Sequence, residues 1–149
     1  MKKTLFGAAV LALMALAACE KDPSGIDIKG KTNQEVLMMQ PWHLTSWTDS
    51  TESFPGVNQN IVEPCLKDDV YEFISTSQVK LTVNSVCNSE KDNTLTWSMP
   101  DPKGTTVNFL NFSWEIETVA ADKVTMSRDY LFNIDGVTYT IFETLTLTK

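Results

Sequence analysis

The sequence contains few of the residues on which most catalytic and nucleic-acid-binding sites depend. It has one histidine, His43, among 149 residues, and 12 basic against 19 acidic side chains give a formal net charge of −7. So acidic a chain disfavours nucleic acid as a partner, because few cationic side chains can displace counterions from phosphates. Paired-histidine metal sites are excluded, and no glycine-rich phosphate loop or Gly-x-Ser-x-Gly elbow occurs. We therefore predict a non-enzyme with no catalytic residue, metal or cofactor.

Residues 1–18 have the pattern of a lipoprotein signal peptide. Lys2 and Lys3 precede an apolar stretch, residues 5–15, that is too short to span a bilayer as a permanent helix. Leu16-Ala17-Ala18-Cys19 then resembles a lipobox, in which the Cys19 thiol accepts a diacylglycerol before cleavage. The alternative is a plain secretory signal that contains a cysteine. The lipobox predicts a chain anchored to the outer membrane by acyl chains such as palmitate, on its periplasmic face or at the cell surface.

Residues 19–31 are expected to form a flexible tether between the lipid and the folded domain. They are polar and contain Pro23, Gly25 and Gly30, which are typical of linkers. Thr32 and Glu35 then match a capping box, in which each side chain accepts the other residue's backbone N–H. A short helix is predicted to follow through Met39 and to end before Pro41.

Cys65 and Cys87 are the two cysteines left once Cys19 is assigned to the lipid. In an exported and therefore oxidising compartment, an even number favours a disulfide. The bridge would stabilise the fold by about 3 kcal/mol in the chain-entropy model. Two free buried thiols or a metal pair are the alternatives, although one histidine leaves few further ligands for zinc.

From residue 42 onward the hydrophobic period is two, which indicates half-buried antiparallel strands. The pattern recurs about eight times, within residues 42–47, 70–74, 79–84, 94–99, 106–109, 114–117, 124–127 and 137–148. Tight turns are predicted at residues 101–104 and at Asp135-Gly136, and a bulge or short turn is predicted near residues 109–112. Residues 32–149 are thus predicted to form one all-β domain with a short N-terminal helix. An up-and-down barrel of about eight strands removes unpaired edges, and a two-sheet sandwich is the competing architecture.

Several segments resemble the lipocalin-like domains of bacterial lipoproteins. Cys65-Leu66-Lys67-Asp68-Asp69-Val70-Tyr71-Glu72-Phe73, with Cys87 after the next strand, is similar to their Cys-x-Lys-Asp-Asp-x-x-x-Phe segment and second cysteine. Trp42-x-Leu44 resembles their opening strand, and residues 116–126 resemble their penultimate hairpin. The resemblance covers residues 33–149, with an insertion around residues 49–62. It implies a small up-and-down barrel, in a family whose members mostly have no assigned activity.

Two polar features were weighed against structural roles. Asp68 and Asp69 together suggest a cation site, but adjacent strand residues point to opposite faces, so a role at the strand entry is favoured. His43 alternates away from Trp42 and Leu44, which predicts a position at the rim or in solvent.

Large apolar side chains at alternating positions are candidates for lining a ligand cavity, and packing of a solid core is the favoured alternative. Glu143 falls on the inward face of the last strand, where a carboxylate needs a partner or water, so it marks a polar spot in a partly open interior, unless a bulge turns it towards solvent. The candidate ligand-binding residues are Trp42, Trp97, Trp114, Phe109, Met126, Tyr139 and Glu143.

Two functional hypotheses follow. The first is a lipid-anchored, non-catalytic binding protein that holds a small apolar ligand. The second is an interaction module, such as an inhibitor of a secreted enzyme or a subunit of an envelope complex, that uses rim loops at residues 49–64 and 88–93. A structural role in the envelope is a third possibility.

Overall fold

The structure is a computed structural model that describes residues 27–51, 54–87 and 91–149. The predicted signal peptide, the lipidated Cys19 and most of the tether lie outside the described residues. Among the helices of the described part, none is both long and apolar enough to cross a membrane.

The helix α1 (Asn33–Leu37) begins with the predicted capping box. The Glu35 N–H donates to Thr32 Oγ1 at 3.2 Å, and the Thr32 N–H donates to Glu35 Oε2 at 2.7 Å. Val36 and Leu37 are buried, and the Leu37 carbonyl accepts the Trp42 indole N–H at 2.8 Å. The helix therefore covers one end of the sheet, which we call the lower end. It stops two residues earlier than predicted.

Most of the remaining described chain is antiparallel β-sheet, which confirms the predicted all-β class. Nine strands belong to one sheet, so the two-sheet sandwich is not the architecture. The strands are β1 (Trp42–Thr51), β2 (Phe54–Asn60), β3 (Val70–Phe73), β4 (Gln78–Thr82), β5 (Asn93–Thr96), β6 (Thr106–Phe109), β7 (Phe112–Val119), β8 (Lys123–Ile134) and β9 (Val137–Thr148). Compared with the predicted set, β2 is additional and β8 is longer.

The sheet curls so that the first strand pairs with the last, but it does not close. The strand order is β5-β4-β3-β1-β9-β8-β7-β6, with β2 paired to β1. The outer strands β5 and β6 meet at one isolated bridge, where Ser98 and Asn108 exchange N–H···O bonds of 3.1 and 2.8 Å. Pro100 and Pro102 follow this bridge, and proline has no N–H to donate to a ladder. The fold is therefore barrel-like, with a seam between β5 and β6.

Turns join neighbouring strands at three places, and two of them, near residues 109–112 and at Asp135-Gly136, were predicted. Asp135 and Gly136 connect β8 to β9 with φ of 51° and 81°, values that glycine adopts without steric cost. Residues 110–111 connect β6 to β7, also with positive φ, and the Ala120 N–H donates to the Lys123 carbonyl between β7 and β8.

Residues 101–104 form a turn in the link from β5 to β6 rather than a hairpin. There the Asp101 carboxylate accepts backbone N–H groups from Thr106 at 2.6 Å, Lys103 at 2.8 Å and Thr105 at 3.2 Å. These bonds, the Thr106 bond first, hold the pKa of Asp101 below its usual value.

The hydrophobic core lies between α1 and the inner face of the sheet. The N–H groups of Trp42, Trp97 and Trp114 donate to the backbone carbonyls of Leu37, Ser75 and Phe109 at 2.7–2.9 Å, which fixes the three rings. The buried apolar residues are Val36, Leu37, Trp42, Leu44, Val62, Tyr71, Phe73, Val79, Trp97, Val107, Phe109, Trp114, Val124, Met126, Leu145 and Leu147.

Cys65 and Cys87 form a disulfide with their Cα atoms 5.7 Å apart, which confirms the predicted pairing. Cys65 lies in a 3-10 turn (Pro64–Leu66) before β3, and Cys87 follows β4. The bond therefore ties the two ends of the β3–β4 hairpin together.

Candidate functional site

The hairpin formed by β8 and β9 carries the site, because its inner face runs from the core to the open end of the sheet. At the lower end Met126 pairs with Leu145, and both are fully buried. Arg128 then pairs with Glu143, and beyond them Phe132 pairs with Tyr139. The part beyond Ser127 and Thr144, residues 128–143, is called the distal hairpin.

An ion pair lies at the base of the distal hairpin. Nε and Nη2 of Arg128 both lie 2.5 Å from Glu143 Oε2, and the side chains of Arg128 and Glu143 are 16% and 7% exposed. Glu143 was expected to need a partner on its inward face, and Arg128, the one arginine of the sequence, is that partner. The Tyr130 hydroxyl also donates to Glu143 Oε1, at 3.5 Å. Burial and the negative charge of Glu143 raise the pKa of Tyr130 above its usual value of 10.0.

Aromatic rings surround the guanidinium group of Arg128. Its Cζ atom lies 3.5 Å from the centroid of Phe112 and 5.0 Å from the centroids of Trp114 and Tyr130. Rings at these distances attract a cation through their negative faces. Trp47 packs edge-on against Trp114 at 5.5 Å and against Phe112 at 6.0 Å. We call Trp47, Phe112, Trp114, Arg128, Tyr130 and Glu143 the mouth cluster.

β1 supplies the other wall of the mouth cluster. A bulge at Thr45 shifts the register, so that Trp47 pairs with Leu145, Asp49 with Glu143 and Thr51 with Ile141. The indole N–H of Trp47 and the hydroxyl of Thr51 are buried, and neither has a hydrogen-bond partner among the described residues. Trp47 therefore differs from the three core tryptophans, whose N–H groups are all bonded.

Above the mouth cluster, the inner face of the distal hairpin is apolar and open to solvent. The exposed fractions are 38% for Tyr130, 49% for Phe132, 50% for Ile134 and 51% for Val137. Tyr139 and Ile141 on the same face are half-buried. Exposed apolar side chains grouped on one surface are typical of binding sites.

The structure separates the predicted ligand-binding residues into two groups. Trp42, Trp97, Phe109 and Met126 are at most 3% exposed and lie inside the core, the alternative that was favoured for them. Trp114 is also fully buried in the core, but its ring lies beside Arg128 in the mouth cluster. Glu143 and Tyr139 lie on the distal hairpin.

A cleft of about 500 Å³ lies on the outer face of the sheet rather than in the interior. Glu115, Ser127 and Thr144 line it, and by register they alternate with the inward side chains of β7, β8 and β9. The Ser127 hydroxyl donates to Glu117 across this cleft. Trp114, Arg128, Phe142 and Glu143 also line the cleft, so its lining is mixed and reaches the ion pair of the mouth cluster. It is not the apolar interior cavity that the sequence suggested.

Asp68 and Asp69 take part in local hydrogen bonds at the entry to β3. Asp69 is 1% exposed and accepts the Asn84 N–H at 3.2 Å, whereas Asp68 accepts the Ser85 hydroxyl at 2.5 Å. This is the strand-entry role that was favoured. The half-buried His43 pairs with Val70 and Thr148.

One triad in the described part of the chain has metal-ligand spacing: Glu63, Cys65 and Cys87. Its two sulfur atoms are bonded to each other, so the triad offers no thiolate.

Sequence reasoning missed Arg128, Tyr130, Phe112 and Trp47. The signal for Arg128 was available, because the two-residue turn at Asp135-Gly136 fixes the pairing of all residues equally distant from it. Counting outward from that turn places Arg128 opposite Glu143, as observed. Trp47 could not be placed in this way, since the bulge at Thr45 moves it to the inner face.

Comparison with family models, with curated proteins and with solved structures finds no match to this chain. The resemblance to lipocalin-like lipoprotein domains therefore stays a prediction from its motifs.

Proposed function

We propose that this chain is a lipid-anchored, non-catalytic binding protein of the bacterial cell envelope, and that its ligand is a small, mainly apolar molecule. One observation carries the proposal: an apolar surface, the inner face of the distal hairpin, leads down to a largely buried ion pair enclosed by aromatic rings. The binding site is then the mouth of the sheet rather than its interior.

The chemistry of this surface defines the ligand class. Covering Phe132, Ile134 and Val137 would remove apolar area from water, worth about 25 cal/mol for each Å². Arg128, Glu143 and Tyr130 lie at the bottom of the same face, where they favour a ligand with one polar group at its leading end. A mainly apolar molecule with a polar head fits both parts.

The geometry also agrees with an anchor at Cys19. The tether would enter at α1, and the Gln40 side chain joins this end to the β7–β8 turn by donating to the Ala121 carbonyl at 2.5 Å. The Asp135-Gly136 turn lies at the other end of the twelve-residue strand β8, about 40 Å away at the usual rise of a strand. The mouth would therefore point away from the membrane that holds the lipid.

A pair of phenylalanines on opposite faces tests the site. Phe132 is 49% exposed on the inner face and Phe142 is 43% exposed on the outer face of the same hairpin. With the neutral apolar dye phenylnaphthylamine as the probe, we expect Phe132→Ser to weaken binding by about tenfold, which corresponds to about 1.4 kcal/mol. Phe142→Ser should bind the dye like the unmodified chain.

The opposite result, loss of binding in Phe142→Ser alone, would place the ligand in the outer cleft and contradict the proposed site. Native mass spectrometry of the detergent-extracted chain tests the function itself. The expected spectrum contains a retained small molecule that is absent from Phe132→Ser.

A second candidate function is an interaction module, and one observation favours it. Leu131 points to the outer face of the distal hairpin and is 73% exposed. The predicted rim loop at residues 49–64 is wrong in part, because Asp49–Thr51 belong to β1 and Phe54–Asn60 form β2. A partner would therefore contact the distal hairpin, and it would be found as a co-purifying chain in the same mass spectra.

A further inference from the structure

One edge of β8 is open over its distal half. The ladder between β7 and β8 ends at the pair Glu115–Ser127, yet β8 continues to Ile134. Among the described residues, the segment Arg128–Ile134 pairs with β9 on one side and with no strand on the other. Such an edge presents N–H and C=O groups that another strand can bind.

This edge lacks the features that normally keep strand edges from pairing. Natural edges are protected by lysine, proline, bulges or short length. Residues 130–134 read Tyr-Leu-Phe-Asn-Ile, with no charge, proline or glycine, and their register with β9 is unbroken. The seam at β5 and β6 is different, since Pro100 and Pro102 interrupt it.

The hairpin turn determines which backbone groups face the open edge. Ile134 and Val137 flank the two-residue turn, so their backbone N–H and C=O groups form hydrogen bonds with each other. Every second residue back along β8 therefore also forms its backbone hydrogen bonds with β9. The residues between them, Asp129, Leu131 and Asn133, direct their N–H and C=O groups to the open edge.

We propose that this edge binds a second copy of the same chain, antiparallel, with Leu131 on the two-fold axis. In this register Leu131 pairs with Leu131 of the second copy, and Asp129 pairs with Asn133 of the second copy. Two copies of this edge can pair with each other in an antiparallel arrangement, because a two-fold axis places the same surface of each copy against the other. The result is a continuous sheet through both hairpins.

Charge selects the register. Residues 130–134 form an uncharged stretch bounded by Asp129 and Asp135, so two chains that each carry a net charge of −7 can approach along this stretch without placing like charges opposite each other. Centred on Leu131, the pairing sets each Asp129 against an amide. A shift of one residue, centred on Phe132, would set Asp129 against Asp135 of the second copy, and like charges directly opposite destabilise a sheet.

Cross-linking tests the register in the full chain. Leu131→Cys places two thiols in a directly paired position with Cα atoms about 5.5 Å apart, within disulfide range. Mild oxidation should therefore link most Leu131→Cys chains in pairs. Asn133→Cys is the matched control, because its two copies would lie about 13 Å apart and should not link. An equimolar mixture of Asp129→Cys and Asn133→Cys chains should link across the pair.

The same readouts can overturn the proposal. Equal linking of Leu131→Cys and Asn133→Cys, or no linking of Leu131→Cys, would contradict the register.

Native mass spectrometry of the full chain in detergent gives an independent measurement, with an expected mass of two chains. Leu131→Lys should reduce the measured mass to that of one chain, because two ammonium groups would meet at the two-fold axis. Thr138→Lys on β9 should leave the mass at that of two chains. A mass of one unmodified chain, or of one chain with a different protein, contradicts the second copy. Dye binding at the mouth is measured separately from the mass, so the proposed ligand binding and the proposed pairing of two chains can each fail without the other.

Discussion

The lower and distal halves of the β8–β9 hairpin have the same alternating pattern and opposite surroundings. In the lower half Val124, Met126, Leu145 and Leu147 are fully buried, and in the distal half the inward side chains of Phe132, Ile134 and Val137 are about half exposed. The boundary is the ion pair of Arg128 with Glu143. Period-two alternation therefore identifies which side chains share a face, while the covering of that face depends on neighbouring elements. The lower half belongs to one core cluster with buried side chains of α1, β3, β4, β6 and β7, and the β7 ladder stops at Ser127.

The largest expected difference between the halves is in packing energy. Leucine and isoleucine are isomers, so Leu145→Ala and Ile134→Ala delete the same atoms at 0% and 50% exposure. We expect Leu145→Ala to lower the free energy of unfolding by about 2–5 kcal/mol, since a cavity forms in the core, and Ile134→Ala to lower it by less than about 1 kcal/mol. Urea unfolding followed by tryptophan fluorescence measures both. Equal losses would show that the distal half is packed as tightly as the core.

The boundary pair should give a smaller effect. Arg128→Met leaves Glu143 mostly buried without its cation, which we expect to cost about 2 kcal/mol, less than a fully buried pair because Arg128 is partly exposed. Replacing both charges, in Arg128→Met with Glu143→Leu, should recover at least half of that loss. A double-mutant cycle, measured by urea unfolding, gives the coupling energy between the two side chains. Additive losses would mean that the two side chains do not depend on each other.

The smallest effect is a contrast in pH response between the two ends. At the lower end the pKa of Asp101 is lowered in the fold, so its contribution to stability is present above pH 3.8 and is lost as the pH falls below that value. In the distal half the pKa of Tyr130 is raised, so its contribution is present below pH 10.0 and is lost as the pH rises above that value.

Thermal unfolding across the pH range measures this contrast. Asp101→Asn should flatten the acid side of the stability curve, and Tyr130→Phe should flatten the alkaline side. An unchanged alkaline side in Tyr130→Phe would contradict the raised pKa of Tyr130.

Local patterns were enough for much of the fold. The alternation predicted the antiparallel class, Thr32 and Glu35 predicted the helix start, and the paired cysteines predicted the disulfide. The distal half of β8 was missed because Leu131 lies on the outer face between Tyr130 and Phe132, which makes the run apolar on both faces and hides the alternation. β2 lies in a segment that was interpreted as an insertion.

The site was harder to predict than the fold, because it depends on contacts between distant segments. Glu143 was identified as an inward carboxylate, but its aromatic surroundings require Phe112 and Trp47 from two other strands. The bulge at Thr45 turns Trp47 inward, and no feature of the local sequence marks that bulge. The seam between β5 and β6 likewise depends on how far the whole sheet curls.

The pairing of β1 with β9 has a consequence for how this chain acquires its shape. About 100 residues separate His43 from Thr148, its partner in the sheet, so this ladder can form only after the ribosome has synthesised β9. Topologies dominated by such distant contacts fold slowly, because a large loop must close before any contact forms. The two strands at the centre of the sheet, β1 and β9, therefore come together only once the last strand has been made.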